Sequence, residues 1–318
     1  MSLEPPVPQF AADTADAIRT DILARLTPDH PDRAARITGF AIYRVTETAG
    51  PMCGLYEPSL SVIIQGAKRL HIGDETLVYD EKHFLLTAVG LPILAQIEAA
   101  TPERPYYCLA LRIDLAKVRE IIAEIGPQPV SGAEVGLSMA LGTATAELFD
   151  AFRRLIALLD QPHHIPFLAD QIEREIYYRL LTGDQGVRLR RYALAGSQSS
   201  RVARAVEWLK QNYTQPLRVE DLADIAAMGV STLHHHFRAM TAMSPLQFQK
   251  HLRLNQARML MLGDNLDAAT AALRVGYESP TQFNREYRRL FGAPPMRDIK
   301  TLRAMPAANQ PVDLDIAG

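Results

Sequence analysis

The sequence predicts an α+β protein, in which an antiparallel β domain with flanking helices precedes an all-α domain built on a repeated helix-turn-helix. Three observations predict it. Residues 37–113 break into seven or eight short apolar runs separated by turn residues. After Asp114 the apolar residues recur at helical spacing. Within residues 219–295 one pattern is written twice, about fifty residues apart. The 318 residues leave room for two domains, and 47% hydrophobic with 22% charged residues is the balance of a globular chain.

Taken in order, residues 1–10 are proline-rich and are expected to form a loose arm. Residues 11–26 read as an amphipathic helix, with Ala15, Ile18, Ile22, Leu23 and Leu26 on one side. Strands are expected over 40–46, 60–66, 68–72, 76–79, 84–89, 92–97 and 106–113, with Gly73-Asp74 as a hairpin turn. Short strands at such spacing suggest a small antiparallel barrel or sandwich. Asp114 is placed to cap a helix over 115–125. A Gly/Pro/Ser loop follows, then helices over 137–159 and 166–181. Their apolar stripes suit either a helical hairpin that faces a second subunit or a cover over the barrel's mouth. Residues 183–200 read as a linker bearing Arg188, Arg190 and Arg191. A helix over 201–213, capped by Ser199 or Ser200, opens the last domain. The expected divisions are 1–182, a linker at 183–198, 199–303, and a disordered tail at 304–318.

The repeat is the most informative stretch. Its first copy is Leu222-Ala-Asp-Ile-Ala-Ala-Met-Gly-Val-Ser-Thr-Leu-His-His-His-Phe-Arg238, and its second begins at Ala271 and ends at Arg288. Leu233, Phe237, Arg238 and Pro245 recur as Phe283, Tyr287, Arg288 and Pro295. In each copy a short apolar helix meets a tight turn and a second helix, so that one helix braces and the next offers a face to the DNA major groove. Residues 244–262 between the copies are also helical in pattern. At 1.5 Å per residue they span roughly 28 Å, close to the ~34 Å between successive groove faces on one side of B-DNA.

Composition narrows the classes further. Residues 1–200 carry 19 basic against 25 acidic side chains, whereas residues 201–303 carry 15 against 9. The basic third therefore coincides with the repeat, as phosphate contact requires. Cys53 and Cys108 lie far apart and form no CxxC, which excludes a disulfide scaffold or a zinc finger. No apolar run approaches the ~18 residues that cross a bilayer. The first residues lack a signal peptide's basic start and apolar core, so the expected location is the bacterial cytoplasm or nucleoid, without membrane contact.

Residues 199–303 resemble the DNA-binding domain of AraC/XylS-type transcriptional regulators. The resemblance rests on Arg274-Val-Gly-Tyr277, Phe283-Asn-Arg-Glu-Tyr-Arg-Arg-Leu-Phe-Gly292 and the paired Ser244-Pro245 and Pro294-Pro295. The chain departs from that pattern at Ala227 (a turn glycine in the family), at Gly229 (a capping serine) and at His236 (an apolar residue). The first half resembles the cupin-like N-terminal domain of one branch of those regulators, through Cys53-Gly-Leu-Tyr-Glu-Pro-Ser-Leu60, Val62-Ile-Ile-Gln-Gly-Ala-Lys68 and the helical segment 171–181. The resemblance implies a promoter-binding regulator, expected to be an activator, that works with RNA polymerase, responds to a small-molecule effector and forms a homodimer.

Carried over by position, the first reading helix exposes Ser231, Thr232, His234, His235 and Arg238, and the second exposes Thr281, Gln282, Asn284, Arg285 and Arg288. Arg285 has the fork that matches guanine O6 and N7, and Gln282 or Asn284 can pair with adenine. Arg238 and Arg288 lie further along and are expected on phosphates. His234-His-His236 is not a metal site, since consecutive helical residues point about 100° apart. In the barrel His71, His83, Glu75 and Glu81 lack the grouping of a metal-binding cupin, so no cofactor or metal is expected. Weak candidates for the effector's contacts are Cys53, Tyr56 and His71. Two rival readings remain: a redox or aldehyde sensor using Cys53, and a cupin metalloenzyme with a DNA-binding appendage.

Overall fold

The computed structural model describes residues 9–48, 52–73, 75–126, 136–194 and 196–304; the side chains of residues 9–12 and of Cys53 lie outside that description. Helices α1 (Gln9–Arg25) and α2 (His30–Ala34) lead into eight strands. These are β1 (Phe40–Val45), β2 (Met52–Tyr56), β3 (Ser59–Gln65), β4 (Ala67–Ile72), β5 (Glu75–Asp80), β6 (His83–Thr87), β7 (Leu91–Ile97) and β8 (Tyr106–Arg112). Helix α3 (Leu115–Ile125) follows, then β9 (Met139–Thr143), α4 (Ala146–Ala157), α5 (Ile165–Thr182) and α6 (Gly186–Ala193). The last domain holds α7 (Gln198–Asn212), α8 (Val219–Ala226), α9 (Val230–Thr241), α10 (Pro245–Gly263), α11 (Ala268–Arg274), α12 (Pro280–Phe291) and α13 (Pro295–Arg303).

The strands form two antiparallel sheets, ordered β1-β8-β3-β6-β9 and β2-β7-β4-β5. The expected barrel is thus realised as two facing sheets, and period-2 alternation tells which side each residue serves. On β3 and β8, Leu60, Val62, Ile64, Tyr107, Leu109 and Leu111 pack into one apolar core with α1, α3, α4, α5 and α6. Ile63, Tyr106 and Cys108 point the other way, into the core shared with the second sheet. Helices α4 and α5 do pair, linked by Arg154 to Glu175 at 2.6 Å, but they cover the outer face of the five-stranded sheet, not a barrel mouth.

Asp114 caps α3 as expected, its carboxylate accepting from the N–H groups of Ala116 and Lys117. Four local expectations need correction. Strand β2 was not foreseen. Residues 139–143, expected as the start of a helix, pair with β6 as β9, from Thr87 opposite Met139 to His83 opposite Thr143. Met, Ala and Leu favour helix locally, but ladder bonding overrides them, and Gly142 leaves room for the Phe84 ring that a Cβ would strike. The stretch read as a linker is helical over α6, with Leu189 and Ala193 in the helix-layer core; Arg190 and Arg188 are tied to the carbonyls of Leu181 and Leu137. Ser197, rather than Ser199 or Ser200, caps α7 by accepting from the Ser200 N–H. The expected arm and tail fall mostly outside the described residues.

Candidate nucleic-acid interface

Both helix-turn-helix units form from the repeat. In each, the bracing helix ends in the same pair of turn bonds: Ala227 and Met228 donate to Asp224 and Ala223, and Gly276 and Tyr277 donate to Leu273 and Ala272. The residue that reverses the chain has positive φ in both, 52° at Ala227 and 90° at Gly276. The second turn then carries one more residue, Glu278, before its cap. Ser279 caps α12 by accepting from the Gln282 N–H, whereas Gly229 offers α9 no side-chain cap. The departures at 227 and 229 therefore keep the chain reversal of the first unit but leave its reading helix without a side-chain cap.

Apolar residues four apart fix which face of each reading helix turns inward. Leu233, Phe237 and Met240 of α9 and Phe283 and Tyr287 of α12 are fully buried. Phe237 meets Phe248 of α10 edge-on at 5.5 Å, and Phe283 sits between Tyr277 and Tyr287 at 5.3 and 5.4 Å. Helix α10, held by a capping box between Ser244 and Gln247, runs between the units over the 19 residues that set their separation. His236 is half-buried with its Nδ1 unpartnered, and burial holds its pKa below the ordinary histidine value.

The remaining faces of the two helices are open. Ser231, Thr232, His234, His235 and Arg238 on α9, and Thr281, Gln282, Asn284, Arg285 and Arg288 on α12, are all exposed. Gln282 is in reach of Glu286 at 3.3 Å. Glu286 is itself held by the Tyr277 hydroxyl and Lys250, so the acid nearest the reading face is already engaged. By contrast the side chains of Arg238, Arg285 and Arg288 make no hydrogen bond or ion pair with the described residues. Other arginines of the domain are spent on structure: Arg253 donates to the carbonyls of Tyr213, Thr214, Gln215 and Gly276. Arg258 is locked to Asp298 at 2.8 and 2.9 Å, with Tyr287 donating to the same carboxylate at 2.7 Å.

The two units are held differently. The first shares a continuous apolar core with the four-stranded sheet, and Ser138 donates both its N–H and its hydroxyl to the Met240 carbonyl near the end of α9, each at 2.8 Å. Lys210 of α7 reaches Glu57 between β2 and β3 at 2.8 Å. The second unit has a separate core of its own. Between the domains lies a cleft of about 460 Å³, lined by Leu55, Glu57, Arg112 and Ile113 on one side and by Lys210, Leu252, Asn255 and Arg258 on the other.

Of the three candidate effector contacts, the Cys53 side chain lies outside the described residues, and Tyr56 and His71 fall on opposite faces of the four-stranded sheet. Tyr56 is buried, with Lys68 4.9 Å over its ring. His71 lies at the β4–β5 edge, bonded to Thr76 at 3.0 Å. Cys108, which the sequence did not single out, is buried with its thiol pushed up by burial. Among the described residues no group of three or more His, Cys, Asp or Glu side chains could hold a metal ion, and no helix is long and apolar enough to cross a membrane.

Comparison with known proteins agrees with this architecture. Residues 36–188 match the N-terminus of AraC-type transcriptional regulators, and residues 222–300 match a helix-turn-helix domain. The chain belongs to the AraC-type family of transcriptional regulators. It is similar to the HTH-type transcriptional regulator CdhR of Pseudomonas aeruginosa, 29% identical over 178 residues, covering 55% of this chain and 51% of that one. It is also similar to the transcriptional activator RhaS of Escherichia coli, 26% identical over 151 residues, covering 46% and 52%. The chain thus spans about half the length of the curated relatives it matches. Its fold is similar to that of ToxT from Vibrio cholerae, solved with an unsaturated fatty acid bound: TM-score 0.56, 10% identity, covering 82% of this chain and 94% of that one.

Proposed function

We propose that this protein is a sequence-specific activator of transcription that reads two successive major grooves of promoter DNA with α9 and α12. The observation that carries the reading is that Arg238, Arg285 and Arg288 are exposed on those helices with side chains unengaged by the described residues, in a domain whose other cations include several committed to its own scaffold. In this reading Arg285 with Gln282 or Asn284 contacts base edges, Arg238 and Arg288 contact phosphates, and Ser231, Thr232, His234, His235 and Thr281 complete the surface. The protein acts in the bacterial cytoplasm, has no catalytic role, and answers to a small molecule. It recruits RNA polymerase as a homodimer. The exposed Phe167, Leu168 and Tyr178 of α5 support self-association.

The test is selection of bound fragments from a random duplex library, followed by two substitutions. Arg285→Ala is expected to cost about 1–3 kcal/mol on the selected site and relax preference at one base pair. Arg288→Ala should weaken every sequence alike and lower the salt slope by about one ion. Equal affinity for all duplexes, lost entirely with salt, would refute the proposal.

A further inference from the structure

The duplication sets the two reading helices in register, residue for residue, about fifty positions apart. Leu233 and Phe237 of α9 stand where Phe283 and Tyr287 stand in α12, and all four are fully buried. Midway between the members of each pair lies an exposed residue. In α12 it is Arg285, and in α9 it is His235. The flanking positions match His234 with Asn284 and His236 with Glu286. Helix α12 carries Arg285, Arg288 and Arg289, and its one acid, Glu286, is already held by Tyr277 and Lys250. Helix α9 carries no acid, and Arg238 is its one permanent cation. The first unit thus has a titratable base where its twin has a permanent charge.

The fold leaves the two outer imidazoles unengaged. His234 and His235 are exposed, and neither side chain makes a hydrogen bond or ion pair with the described residues. His235 meets the half-buried ring of His236 edge-on at 5.2 Å. Burial, and after it the charge of His235, lower the His236 pKa, so a proton goes to the outer rings first. Helix α9 packs on α7, α8 and α10. On α7, Arg201 and Arg204 donate to the carbonyls of Ala227 and Ala226, and Glu207 is paired with Lys210. On α10, Lys250 is paired with Glu286, Arg258 with Asp298, and Arg253 donates to backbone carbonyls. His251 is kept neutral there by burial, with its pKa lowered to about 4. The acids of α8, Glu220, Asp221 and Asp224, are exposed, and none bonds to either outer imidazole. The β domain meets the far end of α9 through Ser138 and Gly73, which carry no charge.

We infer that His235, with His234 beside it, is the specificity-determining contact of the first reading helix, and that it grips a DNA acceptor, a guanine edge or a phosphate oxygen, with both ring nitrogens protonated. The inference rests on the reading of α9 and α12 as DNA-reading helices and adds a proton to the recognition of one half-site. An imidazolium donates from both nitrogens and carries the charge that Arg285 carries at every pH, whereas a neutral ring donates from one. Histidine is the side chain that changes charge between pH 5 and 8. A phosphate or the electron-rich guanine edge favours the charged form, so the complex binds more protons than the free protein. Affinity for the first half-site therefore rises as pH falls through this range, and the gain is lost as pH rises. Affinity for the second stays level. One pKa unit gained on binding sets a tenfold limit for each ring. The Ser138 bonds fix where α9 lies, and the imidazoles set how tightly it holds.

The experiment is selection of duplexes from a random library by the full-length protein at pH 5.5 and at pH 8, with ionic strength held constant. Fluorescence anisotropy then measures affinity for the selected duplex across that range, and Arg285→Ala identifies the half-site that belongs to α12. At pH 5.5 the α9 half-site is expected to show a sharper base preference and to contribute about tenfold tighter binding, with the α12 half-site unchanged. His235→Arg should bind about tenfold more tightly than the wild type at pH 8 and lose most of the pH dependence. The double variant His234→Gln with His235→Gln should abolish that dependence, and Arg285→His should create one in the α12 half-site. Replacing guanine in the α9 half-site by 7-deazaguanine separates the two acceptors. A base contact then loses most of its pH dependence; a phosphate contact keeps it and adds about one ion per imidazole to the salt slope at pH 5.5. The inference is overturned by an affinity that does not change with pH, by a change shared equally by both half-sites, or by a pH dependence that survives the double glutamine variant. Sequence-specific binding at constant affinity from pH 5.5 to 8 would leave the functional reading standing while this inference fails. Equal affinity for all duplexes would remove both.

Discussion

Asp298→Asn isolates the charge network beneath the second reading helix. The two partners are 5% and 10% exposed, so water supplies almost no compensation when one charge is lost. The substitution keeps the shape of Asp298 but leaves the Arg258 guanidinium without a counter-charge. It also allows an amide N–H to be set against a guanidinium N–H, donor against donor. Breaking a buried ion pair from one side costs about 3–5 kcal/mol, most of it the stranded charge. Removing both charges as Arg258→Met with Asp298→Leu should recover much of that loss, giving a coupling of about 2–3 kcal/mol in a double-mutant cycle. Urea unfolding followed by fluorescence of Trp208, the single tryptophan, reads the domain that contains the network. A loss below about 1 kcal/mol for the single variant, the range of an exposed pair, would refute the reasoning. So would a double variant as damaged as the single.

Three further outcomes are expected. Ala227→Gly relieves a left-handed alanine at φ 52°; the ~1–2 kcal/mol of strain less the unfolded-state entropy of glycine, about 0.4–1 kcal/mol, leaves a gain of about 0.5–1 kcal/mol in the same unfolding assay. Gly276→Ala should do the opposite, because its φ is +90° and a Cβ there runs into the Thr214 carbonyl; strain plus overpacking amounts to about 2–5 kcal/mol, seen as a lower urea midpoint. Burial, with Lys250 nearby, lowers the His251 pKa to about 4. The unfolded chain therefore binds the extra proton first as pH falls below 6.5, so stability contributed by neutral His251 is full above that value and lost progressively toward pH 4. His251→Gln should flatten the stability–pH slope within that window, measured as urea midpoints from pH 4 to 7, and an unchanged slope would count against the assignment.

The parts legible in the sequence were those in which local pattern and tertiary environment agree. The apolar pairs Leu233/Phe237 and Phe283/Tyr287 repeat because both copies solve the same packing problem, and spacing alone shows it. Asp114 could be read as a cap because the oxygen that satisfies a helix start belongs to the residue just before it. Strand β9 could not be read, since its Met-Ala-Leu start prefers helix and only the edge of β6 makes it a strand. The same holds for α6, whose Gly and Ser neighbours look like a tether although Leu189 and Ala193 are core residues. Least legible was the cleft. Asn255 and Arg258 lie in an apolar-striped helix, and nothing local distinguishes a buried guanidinium with a spare N–H from an exposed one. Arg112 lines the same cleft only because the two domains dock.

The doubled hydrogen bond from Ser138 to Met240 gives the molecule a polarity that its duplicated motif does not. One DNA-reading element is clamped by its tail to the β domain, while its twin hangs from the far end of a rod. Of the two operator halves, the one under the clamped element should be gripped in the same place under all conditions. The other half would be occupied conditionally, so a protection footprint on promoter DNA should keep one boundary fixed while the opposite boundary advances or recedes.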